Sequence, residues 1–169
     1  MEDFSKNDGF IWLDGKLIKW IDATVHVLTH GLHYASSVFE GERCYGGKIF
    51  REIEHTKRLL YSANTLGFKI PYSIDEICKV RKLVLSANKI KDGYIRPVSW
   101  RGSEMMAISA QKNKTNVAIA TWEWGSYFDP KLKLKGIKWN NQNDETFENK
   151  EKLHQFIDWL VNDKGFARS

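Results

Sequence analysis

The chain has 169 residues, 42% of them hydrophobic, which is enough for one substantial core and hardly for two. Its formal net charge of +5 is compatible with nucleic acid, a membrane surface or a phosphorylated small ligand as partner and does not distinguish among them. The longest apolar run is far short of the roughly 18–20 residues of a membrane span and the N-terminus is not typical of a signal peptide, so we expect a soluble, cytoplasmic protein.

The first predicted elements are two antiparallel strands. Residues 10–13 and 17–20 are apolar runs on either side of Asp14-Gly15, and a DG pair between apolar runs is a strong hairpin signal. Small and apolar residues then recur at spacings of three and four, which predicts a short helix ending near residue 40: Leu32, Ala35, Ser36 and Phe39. Residues 43–45 and 48–50 form a second predicted hairpin around Gly46-Gly47.

Two longer helices follow. The first is predicted from about residue 51 to Gly67, with these residues on its core face: Ile53, Thr56, Leu60, Ala63 and Leu66. Ser73, followed three residues later by Glu76, forms a capping-box pattern that starts the second helix, which ends near Asn88. Its predicted core residues are Ile77, Val80, Val84 and Leu85.

Residues 94–100 and 116–124 are β-branched and aromatic runs, and they predict another strand pair. The order of elements predicts an α+β fold: a mixed, mostly antiparallel sheet with helices packed on one side, plus a C-terminal amphipathic helix. We assign residues 1–125 to this domain, 126–139 to the start of an interdomain segment that includes an alternating Lys-Leu edge strand, and 140–169 to a divergent polar linker and the amphipathic helix.

Arg58 lies off the predicted core face of its helix. Taken alone it is a solvated arginine, and Glu54 four positions earlier would form an ordinary helix-surface pair with it.

Four motifs give the chain a more specific interpretation: HGLHYASSVFEGERCY, FREIEHTKRL, YIRPVSWRG and WEWGSY. In order and spacing they resemble the small domain of fold-type IV pyridoxal-phosphate enzymes, and they are most similar to branched-chain amino-acid aminotransferases. The resemblance covers residues from about 10 to 138. It implies pyridoxal phosphate as cofactor and an amino acid and a 2-oxo acid as small-molecule partners.

The resemblance also implies roles for individual residues. Arg58 matches the arginine that grips the cofactor phosphate, a role for which the forked guanidinium is suited. Phe39, Gly41 and Arg43 match the VFEG(x)R motif, which forms part of the pocket for the substrate side chain.

The remaining implied residues belong to substrate binding as well. Tyr94 and Arg96 match the YIRP pair near the substrate carboxylates, and Trp124 and Tyr127 match the WGxY loop that lines the cleft between domains. Tyr34 matches a tyrosine that reaches the active site of a neighbouring subunit, so a homo-oligomer such as a dimer is implied.

From the residues alone, purely structural alternatives stay open. Phe39 and Trp124 are equally suited to core packing, and Arg43 to the surface. Arg96 would be an exposed charge if its strand lies at an edge, which Pro97 favours.

The family's second domain carries the lysine that holds the cofactor and an acidic partner for its ring. Residues 136–139 resemble the entry to that domain, but the sequence from Asn140 onward matches nothing in it, and the lysines just before it lie in a solvated run. We therefore expect a truncated or rearranged aminotransferase with no catalytic residue of its own, inactive unless a partner chain supplies the missing domain. The alternative is a non-catalytic structural or interaction domain derived from such an enzyme.

Two further classes are disfavoured. His26, His30 and His33 have spacings that suit a metal site on a helix, but Gly31 interrupts that helix and no carboxylate or thiol is close in sequence, so no metal is expected. The basic residues are interleaved with acidic ones, so neither nucleic acid nor a membrane is expected as partner. Cys44 and Cys78 have no zinc or disulfide spacing and are expected to be reduced and packed.

Overall fold

The computed structural model describes residues 3–124, all of which lie in one compact unit, Met1–Gly125. The α-helices and strands of this part are β1 Phe10–Leu13, β2 Lys16–Lys19, α1 His30–Tyr34, β3 Ser37–Phe39, β4 Glu42–Tyr45, β5 Lys48–Ile49, α2 Glu52–Thr65, α3 Ile74–Ala87, β6 Gly93–Arg101 and β7 Thr115–Glu123, and short 3-10 helices span Phe4–Lys6 and Trp20–Asp22. Within residues 3–124, no helix combines the length and the apolar character needed to cross a membrane. The predicted segments 126–139 and 140–169 lie outside the described residues.

The strands form one sheet in the order β2-β1-β7-β6-β4-β5, and β3 pairs with β6 on the same edge as β4. Each strand pairing in the described part of the chain is antiparallel. The predicted fold class, α+β with a mostly antiparallel sheet, is confirmed.

Both predicted hairpins are present. Leu13 lies opposite Lys16, and the two residues between them, Asp14 and Gly15, have φ of 46° and 96°. Positive φ at both central residues is the requirement of a two-residue type I′ hairpin turn, which Asp-Gly meets at little cost. Gly46 and Gly47 do the same in the second hairpin, with φ of 55° and 78°.

The predicted helix around residues 32–40 is only partly correct. α1 ends at Tyr34, because Ala35 adopts a left-handed conformation with φ of 52°. Residues 37–39 instead pair with β6 as strand β3, with Val38 facing inward and its neighbours outward. Backbone pairing with β6 therefore overrides the helix-like spacing of the side chains.

Pro97 lies in an inner strand, so the alternative that it marks an edge is wrong. It is fully buried, and its carbonyl accepts a hydrogen bond of 3.0 Å from the backbone N–H of Glu40. In an antiparallel ladder the N–H of a residue points to the same side as its carbonyl. The missing N–H of Pro97 therefore faces Glu40, between β3 and β4, where the pairing with β6 is interrupted.

The core lies between α2, α3 and one face of the sheet. Its completely buried apolar side chains come from both layers: Cys44, Leu59, Ala63, Val84, Ile95, Val117 and Ile119. The burial of each of the larger ones contributes about 1.5–3 kcal/mol.

The two long helices differ in how well the sequence predicted them. At the start of α3 the capping box is complete: Ser73 Oγ accepts a bond from the Glu76 N–H, and the Ser73 N–H donates to the Glu76 carboxylate. On α2 the predicted core face is rotated, because Leu59 is buried whereas Ile53 and Leu66 are exposed. Thr56 and Ala63 are buried as predicted, and Thr56 faces α3, where its hydroxyl contacts Cys78 and accepts a hydrogen bond from Arg81.

Candidate functional site

Residues 39–43 run from β3 into β4 and turn alternate side chains to the two faces of the sheet. Glu40 and Glu42 face the helices, where they pair with Arg58 of α2 and Arg81 of α3. The odd-numbered residues of the segment face the opposite side, toward side chains of β6 and the end of β7. One short segment therefore contributes to two separate clusters.

The first cluster, the aromatic face, is built around Arg96 and Tyr94 of β6. The Arg96 guanidinium lies 4.4 Å from the ring centre of Phe39, and its Nη2 donates to the Tyr94 hydroxyl at 3.2 Å. A cation over a ring at this distance is attracted by the electrons of the ring face. Gly41 completes the cluster, because a Cβ there would overlap the Tyr94 hydroxyl.

Trp124 and Arg43 extend the aromatic face. The Tyr94 ring lies 5.3 Å from Trp124 and 5.0 Å from Trp122, measured between ring centres. Arg43 donates from Nη2 to the backbone carbonyl of Trp124 at 3.1 Å. The structure thus brings together six of the predicted substrate residues: Phe39, Gly41, Arg43, Tyr94, Arg96 and Trp124.

The second cluster, the carboxylate fork, joins Glu40 to α2. Arg58 donates from Nε and Nη2 to the two oxygens of Glu40 at 2.6 and 2.7 Å, and His55 Nδ1 is 2.9 Å from the same carboxylate. The Glu40 side chain is 6% exposed and that of Arg58 is 60% exposed. Arg58 therefore pairs with Glu40 and not with Glu54, which has no ion pair among the described residues.

The charge state of Glu40 follows from these contacts. Burial by itself raises the pKa of Glu40, but the hydrogen bonds from Arg58 and His55 outweigh it and bring the pKa below the ordinary 4.5. The hydrogen bond to Glu40 likewise raises the pKa of Arg58. Both groups are charged at neutral pH, and the exposed side of Arg58 offers a cation to a ligand.

Glu42 and Arg81 form a buried pair next to the fork. Both side chains are 0% exposed, and Arg81 Nη2 is 2.7 Å from a Glu42 oxygen. Arg81 also donates to the Glu52 carbonyl at 3.0 Å and to the Thr56 hydroxyl. Burial raises the pKa of Glu42 to about 8, against the attraction of Arg81.

Tyr34 lies outside both clusters. It stacks on His30, with ring centres 4.4 Å apart, and remains about half exposed. His30 itself is buried and contacts the Ser36 hydroxyl and the Ala107 carbonyl through its two ring nitrogens. Within residues 3–124, no three His, Cys, Asp or Glu side chains are grouped as metal ligands would be. Tyr127 lies outside the described residues.

Glu40 and His55 were not predicted from the sequence as site residues. A signal for them is present in the chain: Glu40 lies inside the VFEG(x)R motif, and His55 and Arg58 are three residues apart on one helix face. Nothing in the periodicity predicts that the strand carboxylate and the helix cation meet.

The chain resembles known proteins over most of its length. The family model of class IV amino-transferases matches residues 37–161. A probable branched-chain-amino-acid aminotransferase of Rickettsia bellii is 54% identical over 111 residues, which are 66% of this chain and 38% of that protein. The branched-chain-amino-acid aminotransferase of Pseudomonas aeruginosa is 47% identical over 135 residues, which are 78% of this chain and 44% of that protein.

Solved structures show the same likeness. The branched-chain amino acid aminotransferase of Escherichia coli matches with a TM-score of 0.69 at 38% identity, covering 74% of this chain and 43% of that one. The branched-chain amino acid aminotransferase of Thermoproteus uzoniensis, solved with norvaline, matches with a TM-score of 0.68 at 36% identity over 72% of this chain and 42% of that one. The chain thus spans less than half the length of each of these relatives. The resemblance carried by the four motifs is confirmed, and the chain belongs to the class IV amino-transferase family.

Proposed function

We propose that this chain forms the phosphate-gripping and substrate-recognising part of a cytoplasmic, pyridoxal-phosphate-dependent aminotransferase that moves amino groups between branched-chain amino acids and 2-oxoglutarate. One observation carries the proposal. Residues 39–43 contribute to the aromatic face on one side of the sheet and to the carboxylate fork on the other. The first has the aromatic rings and the cation that a substrate pocket needs, and the second presents the exposed Arg58, held by Glu40.

The phosphate of the cofactor fits Arg58. The guanidinium is exposed, its Nε and Nη2 are held by Glu40, and no described residue bonds to Nη1. A guanidinium that is held in place and whose Nη1 still has N–H groups to donate suits a phosphate oxygen, since charge-assisted hydrogen bonds to phosphate are short and strong. When bound, pyridoxal phosphate supplies the carbonyl and the electron-accepting ring that amino transfer requires.

The aromatic face fits the two kinds of substrate. Phe39, Tyr94 and Trp124 provide apolar surface for a branched aliphatic side chain, which must lose water to bind. Arg96 and the Tyr94 hydroxyl provide a cation and a donor for a carboxylate, which the distal end of 2-oxoglutarate carries. The half-exposed Tyr34 suits a contact with a neighbouring subunit, as the family resemblance implies.

Ligand binding tests the phosphate site. Pyridoxamine 5′-phosphate is the probe, because it has no aldehyde and forms no adducts with surface lysines, and pyridoxamine is its phosphate-free counterpart. Calorimetry on the full chain should give tighter binding of the phosphorylated form. Arg58→Met should remove this preference, whereas Lys57→Met, which removes one charge from the exposed neighbouring position, should keep it. Equal binding of both ligands, or equal effects of both substitutions, would refute the proposal.

Turnover tests the substrate class. Formation of glutamate from leucine and 2-oxoglutarate is measured with the chain alone and after addition of a partner chain carrying the lysine-bearing domain. Activity in either mixture that Arg96→Met abolishes supports the proposal. Phosphate-dependent ligand binding without activity in both mixtures favours the non-catalytic domain instead.

A further inference from the structure

We propose that Glu40 is a positioning residue for Arg58: its carboxylate orients the guanidinium toward a ligand phosphate and links that orientation to the strand that carries the substrate face. The inference rests on the proposed function and concerns a residue to which the motif assigns no role. Glu40 acts through Arg58 and not by its own contact with the substrate or the cofactor.

The geometry supports orientation because the fork is bidentate. Both oxygens of Glu40 are used by Arg58, at 2.6 and 2.7 Å, and His55 Nδ1 adds a third contact at 2.9 Å. An arginine on a helix surface normally samples many rotamers, whereas two parallel N–H bonds to one carboxylate fix the plane of the guanidinium. Nη1, which the fork does not use, is left pointing away from Glu40.

Glu40 is itself held firmly. Its side chain is 6% exposed, and its backbone N–H donates to the Pro97 carbonyl at 3.0 Å. Its chain neighbours are held from the other face of the sheet: Phe39 lies beneath Arg96, and Gly41 lies against Tyr94. A shift of either neighbour when a substrate binds would therefore move the carboxylate and, through it, Arg58. This is a short route between the aromatic face and the phosphate arginine, through the backbone to Glu40 and then through its ion pair with Arg58.

Two physical effects of Glu40 on a phosphate oppose each other. Fixing the guanidinium reduces the ordering that binding must otherwise impose, which favours the phosphate. The negative charge of Glu40 close to the same site repels the phosphate. The sign of the change when the carboxylate is removed therefore distinguishes a positioning role from a charge that the ligand merely tolerates.

The test compares Glu40→Gln with Glu54→Gln in the full chain. Both remove one carboxylate near Arg58, but Glu54 has no ion pair or hydrogen bond among the described residues. We expect Glu40→Gln to weaken binding of pyridoxamine 5′-phosphate about tenfold while binding of pyridoxamine stays unchanged. Glu54→Gln should leave both affinities at or slightly above those of the unsubstituted chain.

A second readout follows Arg58 directly. In nitrogen NMR spectra of arginine side chains, the Nε–H of Arg58 should exchange slowly with water because it is bonded to Glu40. Glu40→Gln should speed that exchange and Glu54→Gln should not. If Glu40→Gln does not fold, Glu40→Asp keeps the charge, shortens the side chain by one methylene, and should give the same two changes in smaller size.

The outcomes separate the two proposals. If Arg58→Met leaves phosphate-dependent binding unchanged, the proposed function fails and the positioning role fails with it. If Arg58→Met weakens binding while Glu40→Gln tightens it or leaves it unchanged, Glu40 only repels the ligand and the positioning role alone is overturned. Equal weakening of pyridoxamine and its phosphate by Glu40→Gln indicates general structural damage and also overturns it.

Discussion

Gly41 lies so close to Tyr94 that a Cβ at position 41 would overlap the Tyr94 hydroxyl. Glycine, which has no Cβ, fits at this position. The Tyr94 ring has little room to move, because it lies against Trp122 and Trp124 and its hydroxyl accepts a hydrogen bond from Arg96. The glycine of the VFEG(x)R motif is therefore explained by a close approach of a side chain from β6.

The first prediction concerns this contact. Gly41→Ala should lower the free energy of unfolding by about 1–3 kcal/mol, because the added methyl displaces a packed ring. In a Tyr94→Ala background the same substitution should cost almost nothing, since the obstacle is gone. Urea unfolding of the four chains gives the coupling energy directly, and additive losses would contradict the steric explanation.

The second prediction concerns the buried pair of Glu42 and Arg81. Arg81→Leu should destabilise the fold by about 1–3 kcal/mol near neutral pH, because it leaves a buried carboxyl without its charged partner. With pKa raised to about 8 in the folded chain, Glu42 holds a proton that the unfolded chain releases, so stability falls as pH rises toward that value. Without Arg81 the pKa should lie higher still.

The loss of unfolding free energy caused by Arg81→Leu should therefore grow as pH rises above about 8, by at most about 1.4 kcal/mol per pH unit. Urea unfolding across this range measures it. The double variant Arg81→Leu/Glu42→Gln has no titrating group at this place and serves as control; if it shows the same growth, Glu42 is not the source.

The third prediction concerns the pH dependence of the carboxylate fork. The pKa of Glu40 is lowered below its ordinary 4.5, so its contribution to stability is present above that value and is lost as pH falls through the lowered pKa. Glu40→Gln should cost about 1–2 kcal/mol near neutral pH, and this cost should shrink in acid. A cost that is independent of pH would show that shape and not charge is what the substitution removes.

The fourth prediction concerns Asn88, which joins the end of α3 to the sheet. Its side chain accepts from the Phe10 N–H at 2.8 Å and donates to the Phe10 carbonyl and the Thr121 hydroxyl, both at 2.9 Å. Asn88→Ala removes these three hydrogen bonds, two of them at exposed positions, and should lower the unfolding free energy by about 1–3 kcal/mol. Asn64→Ala, an exposed position on α2, should change it little, and thermal melting of both variants is the check.

The sequence predicted well those features whose cause is local. The Asp14-Gly15 and Gly46-Gly47 turns require positive φ, and the Ser73 capping box needs only residues three apart, so each could be found from neighbouring residues. The aromatic face was found through the motifs, since they fix residue types at given positions.

What the sequence did not predict depends on contacts between distant segments. Residues 37–39 form a strand because β6 pairs with them, and the partner of Arg58 is Glu40, 18 positions away, and not Glu54 on the same helix. Arg81 was not singled out either, because no spacing on α3 reveals which strand carboxylate would meet it. Pairing partners across a sheet and a helix layer are set by the tertiary fold, which helix and strand periods do not encode.

The alternation along residues 39–43 restricts how this stretch of chain can change in length. A strand that loses or gains a single residue exchanges its two faces from that point onward. Here such an indel would send acidic groups into the aromatic face and drive a phenyl ring or a guanidinium under the helices. A substitution in this stretch alters the cluster that its side chain faces, whereas a change in length disrupts both clusters at once.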